Sequence, residues 1–149
     1  MMNMPFAVGL ALSFAVALLA KSAGLDRDRA FYPTVLIVVG SYYVLFAAMG
    51  GSLDALITES VLMAAFVVPA VLGFKGSQWI VVAGLIGHGV VDAIHGHVIE
   101  NAGVPEWWPA FCFAYDVGAG CWVAWFKIAA APRAAETGQL ARLAAMARQ

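Results

Sequence analysis

The chain has 149 residues, of which 63% are hydrophobic and only 11% are charged, and its formal net charge is −1. Its mean hydropathy is +0.87. Soluble globular domains carry about a quarter charged residues, so this composition excludes a soluble domain as the bulk of the chain. The near-zero net charge also argues against a nucleic-acid partner. The composition therefore predicts an integral membrane protein.

Five apolar stretches are long enough to cross a bilayer, for which an α-helix needs about 20 mostly apolar residues. They cover about residues 4–20, 31–49, 53–74, 78–99 and 107–128. Short connections that contain Gly, Pro or Ser separate them. The expected fold class is all-α, a polytopic bundle of five transmembrane helices that forms one domain over residues 1–131.

The distribution of Lys and Arg predicts the orientation of this bundle, because these residues collect on the cytoplasmic side of short loops. With the N-terminus outside, all eight Lys and Arg residues fall on the cytoplasmic side. The first stretch has no Lys or Arg ahead of its apolar run, so we expect a retained first helix rather than a cleaved signal peptide. The C-terminus is then expected in the cytoplasm.

The C-terminal part of the chain carries no predicted chemistry. Residues 132–149 place a few apolar side chains at helical spacing between arginines, which predicts an amphipathic or disordered cytoplasmic tail.

Cys112 and Cys121 lie nine residues apart on the fifth predicted helix, about 13 Å along its axis, so they cannot pair with each other. We interpret both as small apolar residues.

All three histidines lie between residues 88 and 100, inside or at the mouth of the fourth predicted helix. At about 100° per residue, His88, Asp92 and His95 fall on one narrow stripe. His97 faces the opposite side, and Glu100 lies at the outer end. Ionisable side chains are costly in hydrocarbon, so this stripe is a candidate functional site. Its Asp-x-x-His spacing resembles the carboxylate-x-x-His pattern of metal-binding helical bundles.

Ionisable and tyrosine side chains on the other helices fall at a similar depth. With a rise of about 1.5 Å per residue, the second, third and fifth helices all bring such groups to the outer half of the bundle. The expected metal ligands are Glu59, His88, Asp92, His95 and Asp116. The expected catalytic residues are His88, Asp92, His95 and Asp116. The expected substrate-binding residues are Tyr42, Tyr43 and Tyr115.

Three acids beside two histidines are more negative charge than a packing network needs, which implies a bound cation or shared protons. Imidazole and carboxylate ligands favour zinc or iron. The first hypothesis is a metal site that acts on a lipid-like substrate from the surrounding membrane lipids; a metal-free variant uses the same groups for acid–base catalysis. The alternative is a proton or cation relay in a small transporter or channel, which we expect to be a homo-oligomer. A buried polar network that only fixes helix packing also remains open.

The segment GHGVVDAIHGH and the following VPEWWPAFCFAYDVGAG resemble an uncharacterised family of small multi-pass bacterial membrane proteins. That family carries His-x-x-x-Asp-x-x-His and, after a short loop, Pro-x-Trp-x-Pro…Cys…Tyr-Asp. The resemblance covers about residues 87–120. The matching positions are His88, Asp92, His95, Tyr115 and Asp116. Gly96 separates two histidines that are adjacent in the family, which leaves His97 outside the match. The resemblance implies a shared site and a bacterial inner (plasma) membrane location, but no particular chemistry.

Overall fold

The computed structural model describes residues 3–146, and across them it contains helices and no strands. The five helices are α1 (Asn3–Ala23), α2 (Phe31–Gly50), α3 (Leu53–Lys75), α4 (Gln78–Val98) and α5 (Trp108–Met146). Four of them are long and apolar enough to cross a membrane, over Met4–Ala23, Phe31–Gly50, Leu53–Lys75 and Gln78–Val98. The all-α class is therefore confirmed for the described residues, and the first four predicted spans are helices long and apolar enough to cross a membrane.

Two-residue turns join α2 to α3 and α3 to α4, and their residues are suited to end and start helices. Gly51 has φ +70°, a left-handed conformation that glycine adopts without a steric penalty. Ser52 Oγ then accepts a 3.2 Å hydrogen bond from the Ala55 backbone N–H and caps α3. Ser77 Oγ accepts a 3.3 Å bond from Trp79 N–H and caps α4. These turns make consecutive helices antiparallel neighbours.

The helix α4 lies at the centre of the bundle. It packs against α3, α5 and α2, whereas α1 packs along α5 and α2 packs along α3. Glu59 meets His95 near one end of α4, and Gly73 meets Val81 near the other, so α3 runs antiparallel to α4. The polar stripe of α4 thus faces neighbours on several sides.

The described Lys and Arg residues lie at one end of the bundle. The start of α3, the end of α4 and the start of α5 share one end, and we call it the acidic end because Asp54, Glu100 and Glu106 lie there. The other end is the basic end, where the structure describes five cationic residues. They are Lys21, Arg27, Arg29, Lys75 and Lys127.

Glycines let α4 approach its neighbours closely. A Cβ on Gly84 would come within 2.5 Å of Leu36 Cδ2 on α2, and one on Gly120 of α5 would come within 2.8 Å of Ile86 Cδ1 on α4. Both distances are shorter than a normal contact, so larger residues at these positions would push the helices apart. A glycine in an apolar helix can serve contacts within one chain or between chains. In this structure these two serve contacts within one chain.

The helix α5 continues beyond the predicted span of residues 107–128. It passes through Pro132 and reaches Met146 as one helix of 39 residues. The amphipathic face predicted for residues 132–149 falls almost entirely outside the side chains that the structure describes. The transmembrane role of α5 and the nature of the tail therefore stay predictions.

Candidate metal centre

The polar stripe of α4 is buried as helical geometry predicts. His88, Asp92 and His95 are each at most 2% exposed, whereas His97 and Glu100 are exposed. Buried ionisable groups are tolerated when they pair with one another or bind metals. The partners of these three side chains therefore define the site.

His88 lies between two carboxylates. Its Nδ1 hydrogen-bonds Asp116 Oδ2 at 2.6 Å and lies 3.4 Å from Asp92 Oδ2. Asp92 follows His88 by one turn of α4, and Asp116 comes from the facing side of α5, where it is fully buried. The close approach of the two helices at Gly89, whose Cβ would lie 3.1 Å from Val117 Cγ2, brings these groups within reach. One imidazole nitrogen thus faces both acids.

Cys112 completes this group from one turn earlier on α5. Its Sγ lies 3.8 Å from Asp116 Oδ2, and the side chain is 1% exposed. Ligand atoms of His88, Asp92, Cys112 and Asp116 all lie within 4.8 Å of one another. Tetrahedral ligands at about 2.0–2.3 Å from a zinc ion are about 3.3–3.8 Å apart. The widest separation in the group exceeds that of a closed site, whereas His88 Nδ1 and Asp116 Oδ2 are closer than two zinc ligands, so metal binding would need small adjustments of both.

Each of the three buried acids keeps one oxygen without a hydrogen-bond partner in the described part of the chain. These atoms are Asp92 Oδ2, Asp116 Oδ1 and Glu59 Oε2. A buried acceptor left unsatisfied costs about 1–3 kcal/mol, and more when it is charged. A cation or a bound proton would remove that cost. The excess of acidic groups that the sequence indicates therefore corresponds to three buried carboxylate oxygens without a hydrogen-bond donor among the described residues.

Tyr43 joins this group to a second pair of ionisable residues. Its hydroxyl donates a 2.7 Å hydrogen bond to Asp92 Oδ1, and its ring stacks on His95 with centroids 4.0 Å apart and planes inclined by 20°. His95 Nε2 hydrogen-bonds Glu59 Oε1 at 2.8 Å. The Tyr43 ring therefore lies where the two polar clusters meet.

The loop between α4 and α5 covers the second pair. Asn101 Nδ2 donates to Glu59 Oε1 at 2.9 Å and to the Tyr43 carbonyl at 3.1 Å. A Cβ at Gly103 would collide with the Phe46 carbonyl, so only glycine allows the loop to lie this close to α2. This loop holds Glu59 and His95 in place from the acidic end.

The structure divides the metal ligands expected from the sequence into two sets. His88, Asp92 and Asp116 lie together with Cys112, whereas Glu59 and His95 form the separate pair beside Tyr43. Of the tyrosines expected to bind substrate, Tyr43 belongs to this polar layer. Tyr42 and Tyr115 instead line an apolar cleft.

That cleft lies between α1, α2 and α5 and has a volume of about 300 Å³. Its walls are apolar and aromatic side chains, including Leu12, Val35, Trp108 and Phe111. Cys112 also lines it, so the cleft reaches the buried group from the side of the bundle. Among helices that cross a membrane, such a cleft would be filled from the hydrocarbon layer.

Sequence reasoning missed two residues of the polar layer. Cys112 stands four residues before Asp116, the i,i+4 spacing that puts both on one helix face, and this spacing was the available signal. Asn101 lies in a loop, and nothing in its spacing indicates that it contacts Glu59. The free Cys121 on the same helix is exposed, so only one of the two cysteines belongs to the site.

Removing the Tyr43 hydroxyl is expected to destabilise the bundle. Tyr43→Phe leaves Asp92 Oδ1 without its donor, which costs about 1–3 kcal/mol of unfolding free energy. Tyr42→Phe is the matched control, because the Tyr42 ring lines the apolar cleft and the structure describes no hydrogen bond from its hydroxyl. Denaturation in detergent gives the free energy of unfolding of the wild-type protein and of both variants. Equal stability of the two would contradict the role of the Tyr43 hydroxyl.

No protein-family model, curated protein or solved structure matches the chain. The resemblance noted for residues 87–120 stays a prediction. What the residues themselves define is a membrane-type helical bundle with a buried His/Asp/Cys group able to hold a metal ion.

Proposed function

We propose that all five helices cross the membrane, with the acidic end outside and the basic end in the cytoplasm. The separation of charge between the two ends supports this orientation, because cytoplasmic loops carry the excess of Lys and Arg. The first part of α5 packs along α1 and α4, which satisfy the length and hydropathy needed for spanning. A bacterial inner membrane is the location that this topology suits.

We further propose that the buried group of His88, Asp92, Cys112 and Asp116 binds a divalent metal, zinc or iron. The observation that carries this proposal is the convergence of four buried donor atoms within 4.8 Å. Imidazole nitrogen and thiolate sulfur are preferred zinc ligands, and carboxylate oxygen completes many zinc sites. A divalent cation would also balance the charge of the two carboxylates, which is otherwise costly to bury.

The metal would make the group an active site for a lipid-like substrate. A bound divalent ion polarises a carbonyl or phosphoryl oxygen and activates water as a nucleophile. The apolar cleft that ends at Cys112 supports an apolar substrate, because its open side lies among bilayer-type helices. With Asp92 bound to the metal, the His95–Glu59 pair would serve as general acid or base, and in the metal-free variant Asp92 would take that role.

Metal analysis of matched cysteine variants tests the metal proposal. Protein purified without a histidine tag is expected to contain stoichiometric zinc or iron, and Cys121→Ser is expected to retain it because Cys121 is exposed. Cys112→Ser is expected to lose most of the metal. Folded wild-type protein that takes up neither metal, even after dialysis against each ion, would overturn the proposal.

A proton or cation relay is the second candidate function. It is favoured by the series of polar contacts from Glu59 through His95 and Tyr43 to Asp92. Towards the basic end, however, α4 buries Val81 and Leu85, which offer no polar group for a continuous path. Proton uptake by vesicles that contain the protein tests it: uptake that Glu59→Gln abolishes would favour the relay over the enzyme.

A further inference from the structure

A second opening reaches the buried group from the acidic end. It is a groove of about 600 Å³ between the start of α1, the end of α4 and the start of α5. Asp92, Ala93, His97 and Glu106 line it, with Phe6 and other apolar residues on its walls. We call it the access groove. It differs from the apolar cleft by carrying two carboxylates and an imidazole.

Asp92 links the access groove to the buried group. Its side chain is only 1% exposed, and its Oδ2 has no hydrogen-bond partner among the described residues, yet the residue lines the groove. His97 lies about one and a half helical turns nearer to the acidic end. Between them, a Cβ at Gly96 would meet nothing within 4 Å, so the groove is open along this turn.

Two residues of the buried group therefore line two different openings. Cys112 lines the apolar cleft, and Asp92 lines the access groove. Asp92 lines the inner part of the groove, and its unpaired Oδ2 lies 3.4 Å from His88 Nδ1. A buried carboxylate oxygen of this kind is stabilised by water or by a cation, whereas hydrocarbon would leave it unsatisfied. Most residues that line the groove are apolar, as in the cleft, but its two carboxylates and one imidazole offer a hydrated ion contacts that the cleft does not.

We propose that the access groove is the polar route by which water and hydrated divalent cations reach the buried group, with Glu106 and His97 binding the cation transiently at its mouth. Only the cation part rests on the proposed metal function. Carboxylate and imidazole groups can replace part of the hydration shell of a divalent ion. A negatively charged groove also raises the local cation concentration and speeds association.

Two neighbouring positions of α4 allow a matched test of water in the groove. Ala93 lines it, whereas Ile94 is 49% exposed outside it at nearly the same depth. In a Cys121→Ser background reconstituted into vesicles, Ala93→Cys is expected to react with a charged, membrane-impermeant thiosulfonate at least tenfold faster than Ile94→Cys. Equal rates, or no reaction at position 93 above that of the background protein, would overturn the proposal.

The rate of metal uptake tests the cation part separately. Glu106→Gln and His97→Ala are expected to slow the uptake of zinc by metal-free protein about tenfold while leaving its final stoichiometry unchanged. An unchanged uptake rate in both variants would contradict transient cation binding by Glu106 and His97 at the mouth of the groove. If Ala93→Cys reacts but no metal binds, water access through the groove is supported and the metal proposal is contradicted. If metal binds but Ala93→Cys does not react, the metal proposal is supported and water access through the groove is contradicted.

Discussion

Asp116→Asn is expected to abolish the stabilisation that a divalent metal gives to the purified protein. A ligand that binds only the folded state adds about 2.7 kcal/mol to the free energy of unfolding when its concentration is 100 times its Kd. Asp116 is fully buried, contacts His88 and lies beside Cys112, so its carboxylate is central to the donor set. An amide would keep the shape of the side chain but lose its charge.

The measurement is thermal unfolding in detergent with zinc and with a chelator. Zinc is expected to raise the unfolding temperature of the wild-type protein and of Asp54→Asn, an exposed aspartate at the start of α3, but not that of Asp116→Asn. A purely structural network gives a different pattern. In that case the chelator leaves the wild type unchanged, and Asp116→Asn is equally destabilised under both conditions because His88 has lost a charged partner.

His95→Ala is expected to produce the largest loss of stability in the polar layer, about 3–5 kcal/mol. It removes the 2.8 Å contact to Glu59 and the ring that stacks on Tyr43. Glu59 would then remain buried with Asn101 as its partner. His97→Ala, an exposed change two residues later, is expected to alter stability by no more than about 0.5 kcal/mol.

A second substitution distinguishes the cost of burying an unpaired Glu59 carboxylate from the cost of losing the His95 ring that packs on Tyr43. In the His95→Ala background, Glu59→Gln is expected to recover part of the stability, because a neutral amide is cheaper to bury than an unpaired carboxylate. The coupling between the two positions is measured by a double-mutant cycle. Strictly additive losses would show that Glu59 and His95 do not interact as a pair.

Hydropathy and helical periodicity predicted much of this fold and part of its site. The first four spans follow from the length of their apolar stretches, and the buried stripe of His88, Asp92 and His95 follows from the helical repeat alone. Depth along α5 also placed Asp116 near this stripe, and the contact with His88 agrees with that. These features depend on one helix at a time or on position along the membrane normal.

The parts that sequence reasoning missed depend on how helices are rotated against each other. Depth put Glu59 in the same layer as Asp116, but it could not indicate that Tyr43 would lie between their clusters. The rotation of α5 that turns Cys112 and Asp116 together towards His88 on α4 depends on close packing at residues such as Gly120. Such packing is a property of pairs of helix surfaces, and a single sequence does not specify the pairs.

The arrangement of α1 and α5 bears on how the chain is assembled during synthesis. α1 packs along α5 rather than along its sequence neighbour α2, and Gly9 lies against the Phe111 backbone. If the helices enter a bilayer in chain order, as proposed, α1 can pack against α5 only after most of the chain has been made. Between the synthesis of α4 and that of α5, Asp92 and His88 then lack the Asp116 that His88 contacts. On this proposal, insertion of α4 and α5 together as a hairpin would shield these groups.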